Sequence, residues 1–407
     1  MITRLLSAFG FEKRDSSYPH NPAFYPGNWA RGIGSYPYAT PDAVLSNIAV
    51  AARCVSLRSE LLASVALKLY RKTPNGDREQ DTQSPLALAL GDLANPLMTS
   101  FECREFMVRM LDLTGNAYAR LVRDGGGMVR EIWPVHSNMV TVERLESGRL
   151  RYRIAGHDNQ PTMTLIQDEV LHVRASSEDG LLGRSPIEIA RGVLGRTIAE
   201  NATAATLAQS SFRPAGVVTV PNAKIEPKSR RVLEDTFSED HSTPDRVGRV
   251  RVLEGGARFT PIMFTSVDAQ FLESRILSNE DTARIFGVPG GAVGIRDSVS
   301  YGSAAADAQA LVQNCLQPLA ERVEQALMRC LLTPTGRRNY TIQHDLRGLV
   351  RGNMPERFAA YRIGREVGMY SVNDLRRMEN EPPVDGGDTY MNPATLAGGT
   401  PNTDVTE

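Results

Sequence analysis

Lysine is scarce in this chain of 407 residues: Lys13, Lys68, Lys72, Lys224 and Lys228 are the only ones among 46 basic residues. Nearly all the positive charge is therefore arginine. Planar guanidinium forks suit phosphate recognition, although an arginine bias more often reflects genome composition. An excess of either sign is also missing. The formal net charge of −1 argues against a tight, non-specific nucleic-acid coat, which works by neutralising many phosphates. It leaves brief DNA contact open. The four cysteines, Cys54, Cys103, Cys315 and Cys330, are far apart and form no CxxC pair. A zinc site or a disulfide framework has little support, and reduced, buried thiols are expected.

Long apolar runs are absent as well. No stretch approaches the roughly 20 residues a membrane helix needs, and Glu12, Lys13 and Arg14 cut short the one early apolar run before a signal-peptide core could form. The chain reads as unexported. No GxxxxGK occurs, so ATP hydrolysis by this chain is not expected. His20, His136, His157, His172, His241 and His344 lie apart without HExxH spacing, which favours surface or satisfied core imidazoles over a metal site. Ser185 has no GxSxG elbow around it. The acidic pairs Glu239–Asp240 and Glu280–Asp281 could assist a metal nuclease, but a solvated face or a helix end is the commoner role. No convincing catalytic set emerges, and no cofactor is implied.

What is present is an ordered succession of elements. Residues 1–39, rich in Tyr, Pro, Gly and Asn, read as a flexible arm. Thr40 can cap and Pro41 can open a helix carrying Val44, Ile48, Ala51, Val55 and Leu62 on one stripe. The segment "SVALKLYRK" alternates as a strand. A helix follows from Ser100 to about Thr114, and then the strand-like runs "NAYARLVRD", "MVREIWPV", "MVTVERL", "RLRYRI" and "EVLHVRA". No βαβ alternation is seen, so the fold class is α+β with an antiparallel sheet.

In "GRSPIEIA", Ser185 is a cap, Pro186 takes the first helical position and Glu188 falls where a capping box wants its carboxylate. A helix of roughly 40 Å to Phe212 is expected. Between Arg213 and Thr265 a compact β-α-β-β insert is expected, with "GVVTV" and "GARFTPIMF" among its strands. A second long helix runs to Phe286, a Gly-rich loop follows, and a third helix spans Ser303 to Leu332 with Pro318 bending it. Two helices joined across Gly368, the second capped by Ser371, precede a small polar tail.

Taken together, "VLHVRASSEDGLLGRSPIEIA", "RVLEGGARFTP", "DAQFLESRILSNEDTARIFGVPGGAVG" and "GMYSVNDLRRMENEPPVDGGDTYMNP" resemble the portal proteins of tailed double-stranded DNA phages, of the Hong Kong 97 type. The resemblance covers about residues 40 to 393 in order. It implies a dodecameric ring at one capsid vertex, located in the virion and assembled in the host cytoplasm, through which a separate terminase motor drives DNA. On this resemblance 40–184 is the wing, 185–212 the first stem helix, 213–265 the clip and 266–287 the second stem helix. Residues 288–302 are then the tunnel loop, 303–352 the tunnel helix with its return to the wing, 353–392 the crown and 393–407 a disordered tail.

The implied channel residues are Gly290, Gly291, Gly294, Arg296, Asp297, Ser298, Ser300, Tyr301 and Gly302. The glycines would let the loop fold closely and change shape, and Asp297 would moderate the attraction of Arg296 for phosphate. The implied partner-binding residues of the clip are Lys224, Lys228, Arg230, Arg231, Glu234, Arg249 and Arg251. Implied partners are terminase, head-completion or adaptor proteins, the major capsid protein with scaffold as a further candidate, and double-stranded DNA without sequence specificity; no membrane is implied. Arg296 and Asp297 are not fixed residues of the family, and the arm has no assignment. A DNA-processing nuclease and a neck adaptor ring are the competing readings.

Overall fold

The computed structural model describes residues 39–74, 77–156, 161–209, 216–219, 258–261, 267–295, 301–349, 354–379 and 381–391. They fall into two compact units, Met1–Asp345 and Leu346–Glu407. In the first, Thr40 caps α1 (Pro41–Asn47) by accepting from the Ala43 amide at 3.2 Å. The expected single helix breaks at Ile48, whose backbone is extended (φ −121°, ψ 94°), and resumes as α2 (Ala49–Ser64). The apolar stripe survives the break because Val44, Ile48, Ala51, Val55 and Leu62 are all buried.

Strands β1 (Leu67–Lys72) and β2 (Arg78–Asp81) follow, then α3 (Pro85–Gly91), which the sequence reading missed although Ser84 caps it at the Ala87 amide. A short hairpin, β3 (Leu93–Asn95) and β4 (Met98–Thr99), leads into α4 (Ser100–Thr114). Thr99 and Glu102 close a reciprocal capping box at the start of α4. The predicted strands appear as β5 (Asn116–Arg123), β6 (Val129–Val135), β7 (Val140–Arg144) and β8 (Leu150–Ile154), then β9 (Met163–Ile166), which was not foreseen, and β10 (Val170–Arg174). They do not form one sheet. Antiparallel sheets of three strands run β13-β1-β2, β10-β5-β6 and β7-β8-β9, where β13 is Tyr340–His344. The second and third are packed through Tyr118, Val142, Leu150, Tyr152 and Val170.

Two glycines fix the junction that leads out of these sheets. Gly115 takes a left-handed conformation (φ 78°), and a Cβ there would lie 2.5 Å from the Gly183 carbonyl oxygen. Gly183 abuts Gly115 in return, so neither position has room for a side chain.

Ser185 then caps α5 (Pro186–Ile189) at the Glu188 amide. The expected box does not close, because the Glu188 carboxylate is taken by Arg184 Nε at 3.1 Å. Nor is the helix a single rod. It breaks at Ala190 and continues as α6 (Arg191–Gln209), about 28 Å long at about 1.5 Å per residue. The insert is represented by β11 (Gly216–Thr219) and β12 (Arg258–Pro261), an antiparallel pair; its expected helix lies outside the described residues.

Helix α7 (Val267–Ile285) ends in a left-handed Gly287 (φ 67°), with the Val288 amide reaching back to the Ala283 carbonyl at 3.0 Å. The third helix starts two residues earlier than expected, as α8 (Tyr301–Ala310), so Tyr301 and Gly302 form its first turn rather than the loop's end. Where Pro318 leads one to expect a bend, the helix widens into a π-helical turn, Leu311–Leu316, before α9 (Gln317–Leu331). Proline in a regular helix clashes with the carbonyl four residues back, here that of Asn314. The wider turn contains Asn314, and the Gln317 amide bonds five back to Val312.

A short helix α10 (Gly336–Asn339) precedes β13, which pairs Leu67 with His344 and Leu69 with Ile342. The second unit holds α11 (Met354–Glu366) and α12 (Val372–Met378), joined across left-handed Gly368 as the sequence indicates. Ser371 and Asp374 form a closed capping box at the start of α12.

Candidate functional site

The Gly-rich loop starts where α7 ends and is half built into the fold. Phe286 and Val288 are buried, and Gly290–Val293 forms a 3₁₀ turn. The Ala292 amide bonds to the Pro289 carbonyl and the Ile295 amide to that of Gly290, both at 3.0 Å. Gly294 is left-handed (φ 76°). Gly291 is not, and it serves a different need: a Cβ on it would overlap Oδ2 of Asp307 on α8. Of the expected channel residues, Gly290, Gly291 and Gly294 therefore sit in a defined turn lying against a helix. Arg296, Asp297, Ser298 and Ser300 lie outside the described residues, as do Lys224, Lys228, Arg230, Arg231, Glu234, Arg249 and Arg251 of the insert.

One buried guanidinium ties down both sides of this loop. Arg58 on α2 grips Asp112 on α4 bidentately, Nε to Oδ2 at 2.9 Å and Nη2 to Oδ1 at 3.0 Å. Its Nη1 donates to the Phe286 carbonyl and approaches Cys315 Sγ at 3.5 Å. Phe286 is the last residue before the loop, and Cys315 lies in the π-turn of the helix to which the loop returns. Burial works against both charges: on Arg58 it is outweighed by the Asp112 carboxylate together with the nearby Cys315 and Cys54 thiols, so the guanidinium pKa is raised, whereas on Asp112 it outweighs the pull of Arg58 and raises the carboxyl above its usual range. The sequence reading missed Arg58, Asp112 and Asp307. Only Pro318 carried a local signal, and it announced the distortion rather than the contact.

The two long helices flanking the insert are joined by polar contacts. Ser278 donates to Glu200 Oε2 at 2.7 Å, and Arg196 lies 3.7 Å from Glu200 and 4.0 Å from Asp281. Arg284 binds both Glu280 and Asp281, at 2.6 and 2.7 Å, so that acidic pair has a helix-end role. Glu239 and Asp240 lie outside the described residues. Exposed apolar side chains remain on α5 and α7: Ile189, Ile276 and Leu277.

Among the described residues two histidines are buried, and both make hydrogen bonds within the fold. Asn116 Oδ1 can only accept from His172 Nε2 (3.1 Å), so His172 Nδ1 accepts from the Tyr152 hydroxyl (3.1 Å). Burial, and then the nearby Arg174 and Arg329, hold the His172 pKa well below its usual value. His344 Nδ1 lies 2.8 Å from Glu324 Oε1, which also accepts from the His344 backbone amide. Cys54, Cys103 and Cys315 are buried free thiols, while Cys330 is only half-buried, a correction to the expectation. Burial pushes the Cys54 and Cys103 thiols up to about 12, which keeps them protonated and unreactive. Among the described residues no group of three or more His, Cys, Asp or Glu is placed to hold a metal ion, and no helix is long and apolar enough to cross a membrane.

Solved structures share the fold. A crystal structure of a HK97-family phage portal protein from Corynebacterium diphtheriae superposes with a TM-score of 0.59, at 16% identity, over 78% of this chain and 98% of that one. A chain from the neck of a native gene transfer agent particle, computed with C12 symmetry, gives 0.54 at 22% identity, over 88% and 98%. Both share the mixed fold of helices and antiparallel sheets. At the level of sequence, the profile of the family "Phage portal protein" matches residues 49–380. The portal protein of Enterobacteria phage HK97 is 30% identical over 356 residues, 87% of this chain and 83% of that protein. The chain belongs to the phage portal protein family, a structural family of the virion vertex.

Proposed function

We propose that the chain forms the portal ring at one capsid vertex, the conduit for double-stranded DNA in packaging and ejection and the docking site for terminase and the head-completion proteins. The observation that carries this reading is the match to portal relatives along nearly the whole chain, from residue 49 to residue 380. The ring would have twelve subunits, in keeping with the symmetry of the related neck. Long helices α6 and α7 suit the stem, and exposed Ile189, Ile276 and Leu277 suit contact with neighbouring copies. The β11–β12 pair suits the base of a clip, from which Lys224, Lys228, Arg230, Arg231, Glu234, Arg249 and Arg251 would reach terminase and adaptors. The pairing of β13 with β1 suits a chain that returns to its wing after the tunnel helix.

In this reading the tunnel loop has two parts. Its first part, to Ile295, is held by Arg58 and by the seating of Gly291 against Asp307. Arg296 to Ser300 form the part that meets DNA. Contact should be weak, because tight phosphate binding would hinder transport, and Asp297 beside Arg296 lowers the local attraction. The chain contributes no chemistry of its own to packaging; a separate motor hydrolyses ATP.

The test is direct. Native mass measurement and negative-stain images of the purified protein should show a ring with a central hole, and a strictly monomeric species over a wide concentration range refutes the reading. Arg296→Ala should leave the ring intact and change the salt dependence of DNA retention, since one phosphate-capable fork per subunit is lost.

A further inference from the structure

A cavity of about 40 Å³ lies among helices α2, α3, α4 and α9 and strands β10 and β13. Leu62, Leu90, Met107, Leu111, Leu171 and Leu327 give it apolar walls. Two polar side chains also line it, Arg104 on α4 and His344 at the end of β13. Each brings a buried atom that has no hydrogen-bond partner among the described residues, Arg104 Nε and His344 Nε2. Their other nitrogens are engaged. Arg104 Nη1 donates to the Leu90 carbonyl at 3.0 Å and Nη2 to that of Ala63 at 2.7 Å, near the ends of α3 and α2. His344 Nδ1 lies 2.8 Å from Glu324 Oε1 on α9, and the His344 side chain is 1% exposed.

Those partners fix what the two unpaired atoms can do. A carboxylate only accepts, so His344 Nδ1 carries the proton, and in the neutral ring Nε2 is left as an acceptor. Arg104 Nε can only donate. The cavity therefore offers a donor at one place in its wall and an acceptor at another, and each left unpaired carries the desolvation penalty of a buried polar group. A hydrocarbon would meet neither atom. An anion would suit Arg104 but would face the lone pair of His344. A hydroxyl donates and accepts at once, so a run of hydroxyls has one end that accepts and one that donates, which matches this pair. A single water needs roughly 10–15 Å³, so the space holds more than one.

We propose that this cavity is a hydration site, in which a short chain of water molecules runs from Arg104 Nε to His344 Nε2. The first water accepts from Arg104 and the last donates to His344, so each member has the two bonds that a buried water needs. A polar path then crosses the apolar core, from the Ala63 and Leu90 carbonyls through Arg104, the waters and His344 to Glu324. It joins α9 to the helices at the start of the fold by more than apolar packing.

A density map of the full-length protein, fine enough to show ordered water, tests the proposal. Peaks should stand about 2.7–3.2 Å from Arg104 Nε and from His344 Nε2, each within hydrogen-bond reach of the next. A cavity without such peaks, or a peak at one of the two atoms only, overturns it. Xenon gives a second readout, because a dry apolar cavity binds it. Crystals of the parent under xenon pressure should show no xenon peak among these residues, and a peak there overturns the hydration site. Arg104→Met removes the donor end and leaves one polar atom, fewer than the two partners a buried water needs. Xenon should then enter; a variant that excludes it as the parent does shows that Arg104 does not hold the waters and sinks the proposal. If Arg104→Met does not fold, the two measurements on the parent decide.

Discussion

Replacing Asp112 by Ala should be among the most damaging single changes in the chain, and its size can be argued from the geometry. The Asp112 side chain is 2% exposed and that of Arg58 13%, and two charge-assisted bonds of 2.9 and 3.0 Å join them. Asp112→Ala leaves a guanidinium buried without its counter-charge, a change that costs about 3–5 kcal/mol. At about 2 °C per kcal/mol for a large unit, the melting midpoint should fall by roughly 6–10 °C, measured at fixed protein concentration. The pair can also be removed whole. Arg58→Met with Asp112→Leu buries no charge, so most of the loss should be recovered, leaving about 1–3 kcal/mol for the Phe286 carbonyl that loses its donor. Stability and anchoring then separate. In the double variant hydrogen exchange should quicken at Gly287, Val288 and the turn Leu311–Leu316 and stay as in the parent at β5 and β10. If Asp112→Ala costs under about 1 kcal/mol, well short of the range for breaking a buried pair, or if the double variant exchanges like the parent around the loop, Arg58 is not the anchor described here.

Further outcomes can be checked separately. Gly183→Ala should lower the melting midpoint by an amount equivalent to about 2 kcal/mol or more, because its Cβ would collide with the Gly115 backbone and nothing flexible can yield; a midpoint within a degree or so of the parent's contradicts that packing. Gly291→Ala should reduce DNA packaging without reducing ring assembly, and adding Asp307→Ala should recover much of the loss, since the overlap is with that side chain; no recovery removes the assigned close approach. The pH dependence follows from His172, whose folded pKa lies well below its usual value. Below about pH 6.5 the unfolded chain takes up a proton that the folded chain refuses. Stability should fall as pH falls from there, and His172→Gln should flatten that part of the profile of melting midpoint against pH.

Short-range chemistry was legible without coordinates. Thr40, Ser185 and Ser371 announce helix starts, because a cap is decided within a few residues of chain. The strands from Asn116 to Arg174, β9 excepted, were legible from their alternation and turns, and an irregularity in the third long helix from Pro318 alone. The breaks at Ile48 and Ala190 carried no such mark; both neighbouring apolar stripes continue through them, and only the surfaces they pack on decide where the helices turn. Nor could alternation say which strands pair. The register of Leu67 against His344 joins segments 277 residues apart in one sheet, a matter of shape complementarity across the core. The loop divided in the same way. Its glycines showed that the backbone would turn tightly, but what holds it is Arg58 reaching Asp112, Phe286 and Cys315 over separations of 54, 228 and 257 residues. A buried charge finds its partners only after the chain has folded around it, so tertiary structure, not sequence pattern, decided how this loop is held.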